Sequence, residues 1–160
     1  QIMPRKVTKS LQRKINPDRK YNSVLVQRLI NKSMLDGKKH TAEKAVYSAL
    51  ENAAKKLQSE NPLEVFETAL KNVSPNYEVK SRRVGGANYQ IPFPIQGHRQ
   101  QHYAFMWLVQ SARSRKGMPY ENRLSAEIVD AVNQTGAAFK KKEDTHRMAE
   151  ANRAFAHFAR

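Results

Sequence analysis

The chain has 160 residues, with 29 lysines and arginines against 14 aspartates and glutamates, so its formal net charge is +15 at pH 7. Its length is that of one domain, and its sequence has no cysteine, which excludes disulfides, thiol nucleophiles and Cys-zinc sites. No stretch approaches the roughly 18 apolar residues of a membrane helix, which excludes a transmembrane segment. No predicted helix combines a basic face with a wide exposed apolar face, so we expect no membrane partner. The excess positive charge predicts a polyanion, and therefore a nucleic acid, as partner.

The first 20 residues predict a basic arm. They contain seven lysines and arginines against the single acid Asp18, and they show almost no apolar periodicity. The chain begins with Gln1 rather than Met, so an N-terminal extension ahead of the arm stays an open alternative.

Two helices are predicted directly after the arm. Apolar residues recur at helical spacing over 26–34, with Asn22 or Ser23 as the N-cap and Gly37 as the stop. An alanine-rich apolar face then predicts a second helix over 41–57.

The third helix has the clearest start signal in the sequence. Asn61 can accept the first free N–H groups, Pro62 suits the first helical position, and Glu64 can return a hydrogen bond. Pro75 marks the predicted end of this helix.

Three more helices are predicted in the second half of the chain. One runs over 98–115 and is apolar over most of its circumference, which is typical of a central core helix. The next runs over 120–135 and is followed by Gly136, and the last begins near Asp144 or Thr145.

A β-hairpin is predicted over 77–92, because Gly85-Gly86 separates two strand-like runs and suits a two-residue primed turn. That turn places Arg82 opposite Tyr89. Neither face of the ribbon has a clean apolar stripe, so we expect it to project from the helices. Cations interleaved with an aromatic ring favour RNA contact over the alternative of a merely solubilising edge.

The predicted fold is therefore mainly α, a bundle of about six helices with one protruding β-hairpin. Its organisation is a basic arm (1–20) and a single helical domain (21–160). The hairpin is inserted into that domain, which ends in a basic helix or tail (140–160).

The sequence has no pattern that favours catalysis. His98 and His102 have a metal-compatible spacing, but they lack the glutamate of the H-E-x-x-H pattern. The carboxylates are scattered and no nucleophile elbow is present. We expect no catalytic residue, no metal and no cofactor, with a metal-dependent nuclease as a distant alternative.

Four motifs resemble the bacterial-type small-subunit ribosomal protein seven family. They are Asp36-Gly-Lys-Lys39, Val46-Tyr-Ser-Ala49, Val79-Lys-Ser-Arg-Arg-Val-Gly-Gly86 with Tyr89-Gln90, and the stretch from His146 to His157. The resemblance covers residues 4–160 in the family's order. It departs over 95–106, where the family usually has several arginines and this chain has glutamines and Arg99.

The resemblance implies a structural protein of the small ribosomal subunit. It implies a primary rRNA-binding role that nucleates the head (3′ major domain), and a position near the E site with the hairpin close to tRNA and mRNA. Ribosomal proteins nine and eleven are the implied neighbours. The implied location is a bacterial-type ribosome, either in a bacterial cytoplasm or in an organelle.

The resemblance also assigns binding roles to basic residues of this chain. The implied rRNA-binding residues are Arg5, Lys6, Arg13, Lys14, Lys38, Lys39, Lys140, Lys141, Lys142, Arg147 and Arg153. The implied hairpin residues near tRNA and mRNA are Lys80, Arg82, Arg83, Gly85, Gly86, Tyr89 and Gln90. The alternative function is an architectural nucleic-acid-binding protein or translational repressor that acts off the ribosome.

Overall fold

The computed structural model of the protein describes residues 13–159, which form six α-helices, one two-stranded antiparallel sheet and a C-terminal 3-10 helix. The α-helices are α1 (Val24–Ser33), α2 (Lys39–Lys56), α3 (Pro62–Val73), α4 (His98–Ser114), α5 (Tyr120–Val132) and α6 (Gly136–Ala151). The strands are β1 (Tyr77–Val84) and β2 (Ala87–Pro94), and the terminal 3-10 helix is Arg153–Ala159. The predicted class, a helical bundle with one hairpin, is confirmed.

Two helices begin where the capping signals predicted. The Ser23 hydroxyl accepts a hydrogen bond from the N–H of Val26 at 3.5 Å, at the start of α1. The Asn61 side-chain oxygen accepts from the N–H groups of Leu63 and Glu64 at 3.1 and 3.4 Å, at the start of α3. These side chains satisfy donors that have no partner inside the helix.

The predicted stop of α1 at Gly37 is wrong. The helix ends at Ser33, and Asp36 and Gly37 follow it with φ angles of 54° and 72°. A left-handed pair of this kind reverses the chain direction, and glycine adopts it without steric cost. Gly37 therefore belongs to the turn that leads into α2.

One apolar core lies between the first five helices. α5 packs against α2, α3 and α4, and its Leu124 and Ile128 are fully buried together with Leu108 of α4 and Phe66 of α3. Burying a side chain of this size stabilises the fold by about 1.5–3 kcal/mol. Among the described residues, no helix has both the length and the apolar character needed to cross a bilayer.

The last α-helix begins eight residues earlier than predicted, at Gly136 rather than near residue 144. A residue of another helix caps the start of α6. The carboxylate of Glu127, fully buried on α5, accepts a hydrogen bond from the N–H of Ala138 at 2.9 Å. Glu127 also pairs with Arg115 at 2.9 Å. Because this cap lies on another helix, the local sequence around residue 136 does not reveal it.

The hairpin has the predicted turn and register. Gly85 and Gly86 both have positive φ angles, 59° and 85°, as a type I′ turn requires. Arg82 lies opposite Tyr89. The strands pair as far as Tyr77 and Pro94, so β2 extends two residues beyond the predicted end of the hairpin at residue 92.

The base of the hairpin is packed into the fold, whereas the lack of a clean apolar face predicted a ribbon that projects from the helices. Glu78 and Ile91 are 4% and 0% exposed, and the terminal 3-10 helix packs along β2. The outer half around Arg83 and Asn88 is exposed. The base is buried by α6 and the terminal 3-10 helix, and by Arg99 and Tyr103 of α4, which contact Glu78.

Candidate nucleic-acid interface

A cleft of about 730 Å³ lies where the segment before α1 crosses the start of α2. We call it the basic cleft; its lining includes Arg13, Lys14, Arg19, Lys39, His40 and Glu43. Arg13 and Lys14 therefore lie beside Lys39 in the fold, although at least 24 residues separate them from it in the sequence. All three are predicted rRNA-binding residues.

The basic cleft owes its shape to the carboxylate of Asp18, which is 3% exposed. It accepts hydrogen bonds from the N–H groups of Lys20, Tyr21 and Ser23 at 2.8–2.9 Å, and from the hydroxyl of Tyr47 on α2 at 2.9 Å. Burial acts to raise the pKa of Asp18, but these hydrogen bonds outweigh burial and lower it. The ionised carboxylate thus fixes the end of the arm against α2.

The cations of this region divide into two groups. Arg19 pairs with Glu43 at 2.7 Å, and Lys20 pairs with Glu51, so these two hold the segment on α2. Arg13, Lys14 and Lys39 are exposed, and none of them pairs with an acid among residues 13–159. Their charge is available to an anionic ligand.

The N-terminus of α2 adds to the positive potential of the basic cleft. Its cap residue Lys38 makes no side-chain capping bond, and its first turn has no acid. Free N–H groups and the helix dipole both favour an anion there. Lys38 itself lines a different cavity, beside Arg113 and Arg123.

Sequence reasoning missed a second group of cations next to the basic cleft. Arg28 and Lys32 of α1 line an adjoining cavity of about 300 Å³ with His98 and His102 of α4. Arg28 donates hydrogen bonds to His98, at 3.3 Å, and to Gln101. The helical spacing of residues 28 and 32 places them on one face of α1, which was the signal that could have identified them.

The environment of His102 lowers its pKa and so favours the neutral imidazole. Burial lowers its pKa, and the positive charges of Lys32 and Arg99 lower it further. A neutral imidazole both donates and accepts hydrogen bonds.

The three consecutive lysines of α6 do not form one patch. Lys140 is exposed, Lys141 donates to Gln110 at 3.3 Å, and Lys142 donates to the carbonyl of Asn72 at 2.8 Å. Burial lowers the pKa of Lys142, whose ammonium also lies 5.5 Å from the centre of the Phe139 ring. Lys142 therefore ties α6 to α3, and Lys140 is the member best exposed to a ligand.

The two predicted arginines near the C-terminus are mostly exposed. Arg147 lies 3.3 Å from Asp144, and Arg153 lies 3.6 Å from Glu150, each within one helical turn. Exposed pairs of this kind contribute about 0–1 kcal/mol, so an RNA phosphate can replace the carboxylate at little cost.

The predicted hairpin residues also divide by environment. Lys80 pairs with the buried Glu78, and Arg82 donates to the carbonyl of Phe158 at 2.8 Å. The Tyr89 ring lies 5.0 and 5.3 Å from the rings of Phe155 and Phe158.

The outer hairpin is exposed. Arg83, Gly85, Gly86 and Gln90 are accessible to solvent. Two other predicted residues, Arg5 and Lys6, lie outside the described residues.

No metal centre is found within residues 13–159: no group of three or more histidines, aspartates and glutamates there could hold an ion. His98 and His102, the pair with metal-compatible spacing, line the cavity with Arg28 and Lys32.

Comparison with known proteins agrees with the resemblance seen in the motifs. Residues 4–153 match the family of ribosomal protein S7p/S5e. The small ribosomal subunit protein uS7 of Thermomicrobium roseum is 56% identical over 156 residues, which cover 98% of this chain and 99% of the relative. The uS7 proteins of Chloroflexus aggregans (57% over 148 residues; 92% and 94% covered) and of a Hydrogenobaculum species (56% over 160 residues; 98% and 99% covered) are similar. This near-complete agreement shows that the chain belongs to the ribosomal protein S7p/S5e family.

Proposed function

We propose that this protein binds small-subunit rRNA as a primary assembly protein that nucleates the head (3′ major domain) and lies near the E site. Its family is structural and non-enzymatic, and its relatives are proteins of the small ribosomal subunit. The observation that carries the proposal is the basic cleft, where Arg13, Lys14 and Lys39 converge on the start of α2.

Phosphate neutralisation is the mechanism of binding at this cleft. Each lysine or arginine that pairs with a phosphate releases condensed counterions, which makes affinity fall steeply with salt. The free N–H groups at the start of α2 supply directional hydrogen bonds in addition. Because phosphates carry no sequence information, specificity comes from the shape of the folded RNA.

The exposed outer half of the hairpin is the part that reaches E-site tRNA and mRNA. Arg83 supplies a phosphate contact there, and the Gly85-Gly86 tip lets a backbone approach closely because no side chain stands in the way. Ribosomal proteins nine and eleven are the protein neighbours in this proposal.

A salt titration of binding to a 3′ major domain rRNA fragment tests the role of the cleft. We expect Arg13→Ala/Lys14→Ala/Lys39→Ala to reduce the slope of log affinity against log salt by about 2–3. The control Lys44→Ala/Lys55→Ala/Lys56→Ala removes the same charge from exposed positions of α2 outside the cleft, and we expect a smaller change. Equal losses in both variants would contradict a defined binding face.

Competition with duplex DNA separates this function from the off-ribosome alternative. We expect the rRNA fragment to displace duplex DNA at a concentration about a thousandfold lower, the low end of the usual margin of specific over non-specific binding. Equal competition by duplex DNA favours an architectural DNA-binding protein.

A further inference from the structure

A cavity of about 520 Å³ separates the base of the hairpin from the C-terminal elements. Its hairpin wall carries Tyr77, Pro92 and Pro94. The opposite wall belongs to α6 and the terminal 3-10 helix and includes His146 and Ala149. None of the functions proposed above uses this cavity.

The shape of the walls suits a flat ring. Tyr77 is a large aromatic residue that remains 45% exposed at the cavity, and it meets His146 edge to face with ring centres 6.1 Å apart. Ala149, on the opposite wall, is small, so it leaves room in the cavity that Tyr77 also lines. An aromatic face beside open space binds planar conjugated rings by stacking.

Polar groups at the cavity offer both donors and acceptors. His146 Nε2 accepts a hydrogen bond from the N–H of Asn76 at 3.0 Å, so the neutral ring carries its proton on Nδ1. Glu150 and Arg153 also line the cavity, and their side chains are 76% and 81% exposed. A carboxylate, a guanidinium and an imidazole N–H can recognise the polar edge of a base, whereas an apolar side chain needs none of them.

The surrounding charge favours RNA as the source of that ring. The net charge of the chain is +15, and Arg153 of the terminal 3-10 helix lines the cavity itself, two residues after the end of α6, which carries Arg147. A polyanion that also carries planar rings matches both the charge and the cavity better than a protein segment does. From these features we infer that the cavity between Tyr77 and α6 binds one unstacked nucleobase, with Arg153 near its phosphate; the inference rests on the proposed RNA-binding function.

Nuclear magnetic resonance titration of the full chain with AMP and with ribose 5-phosphate tests this inference. The two probes share the sugar phosphate and differ in the base. We expect AMP to cause saturable shifts at Tyr77 and Ala149, and ribose 5-phosphate to bind there about tenfold more weakly. Equal responses to both probes would overturn the inference, because they would assign the binding to phosphate alone.

Variants on both walls locate the base. We expect Tyr77→Ala to weaken AMP binding about tenfold and Tyr77→Phe to preserve it, because stacking needs the ring and not the hydroxyl. On the other wall Ala156→Phe should fill the cavity, while Ala154→Phe, at an exposed position of the same helix that does not line the cavity, serves as control. Unchanged AMP binding in both Tyr77→Ala and Ala156→Phe would place the base elsewhere.

Binding of the rRNA fragment and binding of N-acetyltryptophanamide show whether a negative result concerns the cavity alone or the proposed function as well. If the wild-type protein binds the rRNA fragment but does not respond to AMP, the cavity inference fails and the proposed function stands. If the cavity binds N-acetyltryptophanamide but not AMP, its partner is a protein and the inference is overturned.

Discussion

The hydroxyl of Tyr103 on α4 donates a hydrogen bond of 2.6 Å to the carboxylate of Glu78 at the base of the hairpin. Arg99, one turn earlier on α4, pairs with the same carboxylate at 2.9 Å. Lys80 approaches it from within β1. This buried acid therefore fixes the hairpin to the helical bundle, and its charge is matched by two cations.

The ionisation of Glu78 makes the stability of the hairpin base dependent on pH. Burial acts to raise the pKa of Glu78, but hydrogen bonds from Lys80, Tyr103 and Arg99 outweigh burial and lower it to about 2. The carboxyl of the unfolded chain titrates near 4.5. The stabilisation is therefore complete above pH 4.5 and is lost as the pH falls toward 2.

We expect Glu78→Gln to lower the free energy of unfolding at pH 7 by about 2 kcal/mol, because it removes charged hydrogen bonds from a buried site. Urea denaturation at pH 7 and at pH 3 measures the effect, and the difference between wild type and variant should shrink at pH 3. Glu60→Gln, in an exposed loop, is the control and should change little. A difference that is the same at both pH values would contradict this account of Glu78.

Gly136, the first residue of α6, has no room for a side chain. Its φ angle is 88°, and a Cβ atom there would lie 2.8 Å from Cβ of Asp130. We expect Gly136→Ala to destabilise the protein by about 2–4 kcal/mol, from strain and from the clash together. Gly117→Ala has a similar φ of 81° with open space around it, so it measures the strain alone, about 1–2 kcal/mol. Thermal unfolding of both variants should show a larger loss of stability for Gly136→Ala than for Gly117→Ala. Equal losses of stability would show that the clash with Asp130 contributes nothing.

His146 makes the junction between α6 and the hairpin sensitive to mild acid. Burial lowers its pKa, Lys142 lowers it further, and Glu143 opposes them. The folded protein thus favours the neutral ring, which accepts the hydrogen bond from Asn76. The stabilisation is complete above about pH 6.5, the pKa of an unperturbed histidine, and declines as the pH falls below it.

We expect His146→Gln to remove this part of the pH dependence, because a glutamine oxygen can accept the same hydrogen bond without titrating. Urea unfolding between pH 7.5 and 5 compares the two proteins, and the other histidines are common to both. The wild type should lose more stability than the variant on acidification. Parallel curves would show that His146 has the same pKa in the folded and the unfolded chain, so that its hydrogen bond to Asn76 does not favour the neutral ring.

The features predicted correctly from the sequence are those specified by neighbouring residues. Asn61 caps α3 through atoms two and three positions away. The turn at Gly85-Gly86 determines the hairpin register through the conformation of two adjacent residues. Such signals do not depend on the rest of the fold.

The features that were missed depend on partners distant in the chain. α6 begins at Gly136 because Glu127 of another helix caps it. Glu78 at the hairpin base can be buried because Arg99 of α4 pairs with its charge and Tyr103 donates a hydrogen bond to it. The basic cleft likewise joins two segments that only the tertiary fold brings together. The sequence identifies the lysines and arginines, but only the folded structure shows which of them pair with acids and which are exposed.

The lysine triplet of α6 provides the sharpest test of that division. Consecutive residues of a helix point about 100° apart, which agrees with an exposed Lys140 and a Lys142 bound to Asn72. We expect Lys140→Ala to reduce the salt slope of rRNA binding by about 1 while leaving the unfolding midpoint unchanged. We expect Lys142→Ala to lower the free energy of unfolding by about 1 kcal/mol, because it removes the hydrogen bond to Asn72, with a smaller effect on the slope. If both variants change only the salt slope, the triplet acts as one RNA-binding patch and the contact of Lys142 with Asn72 does not stabilise the fold.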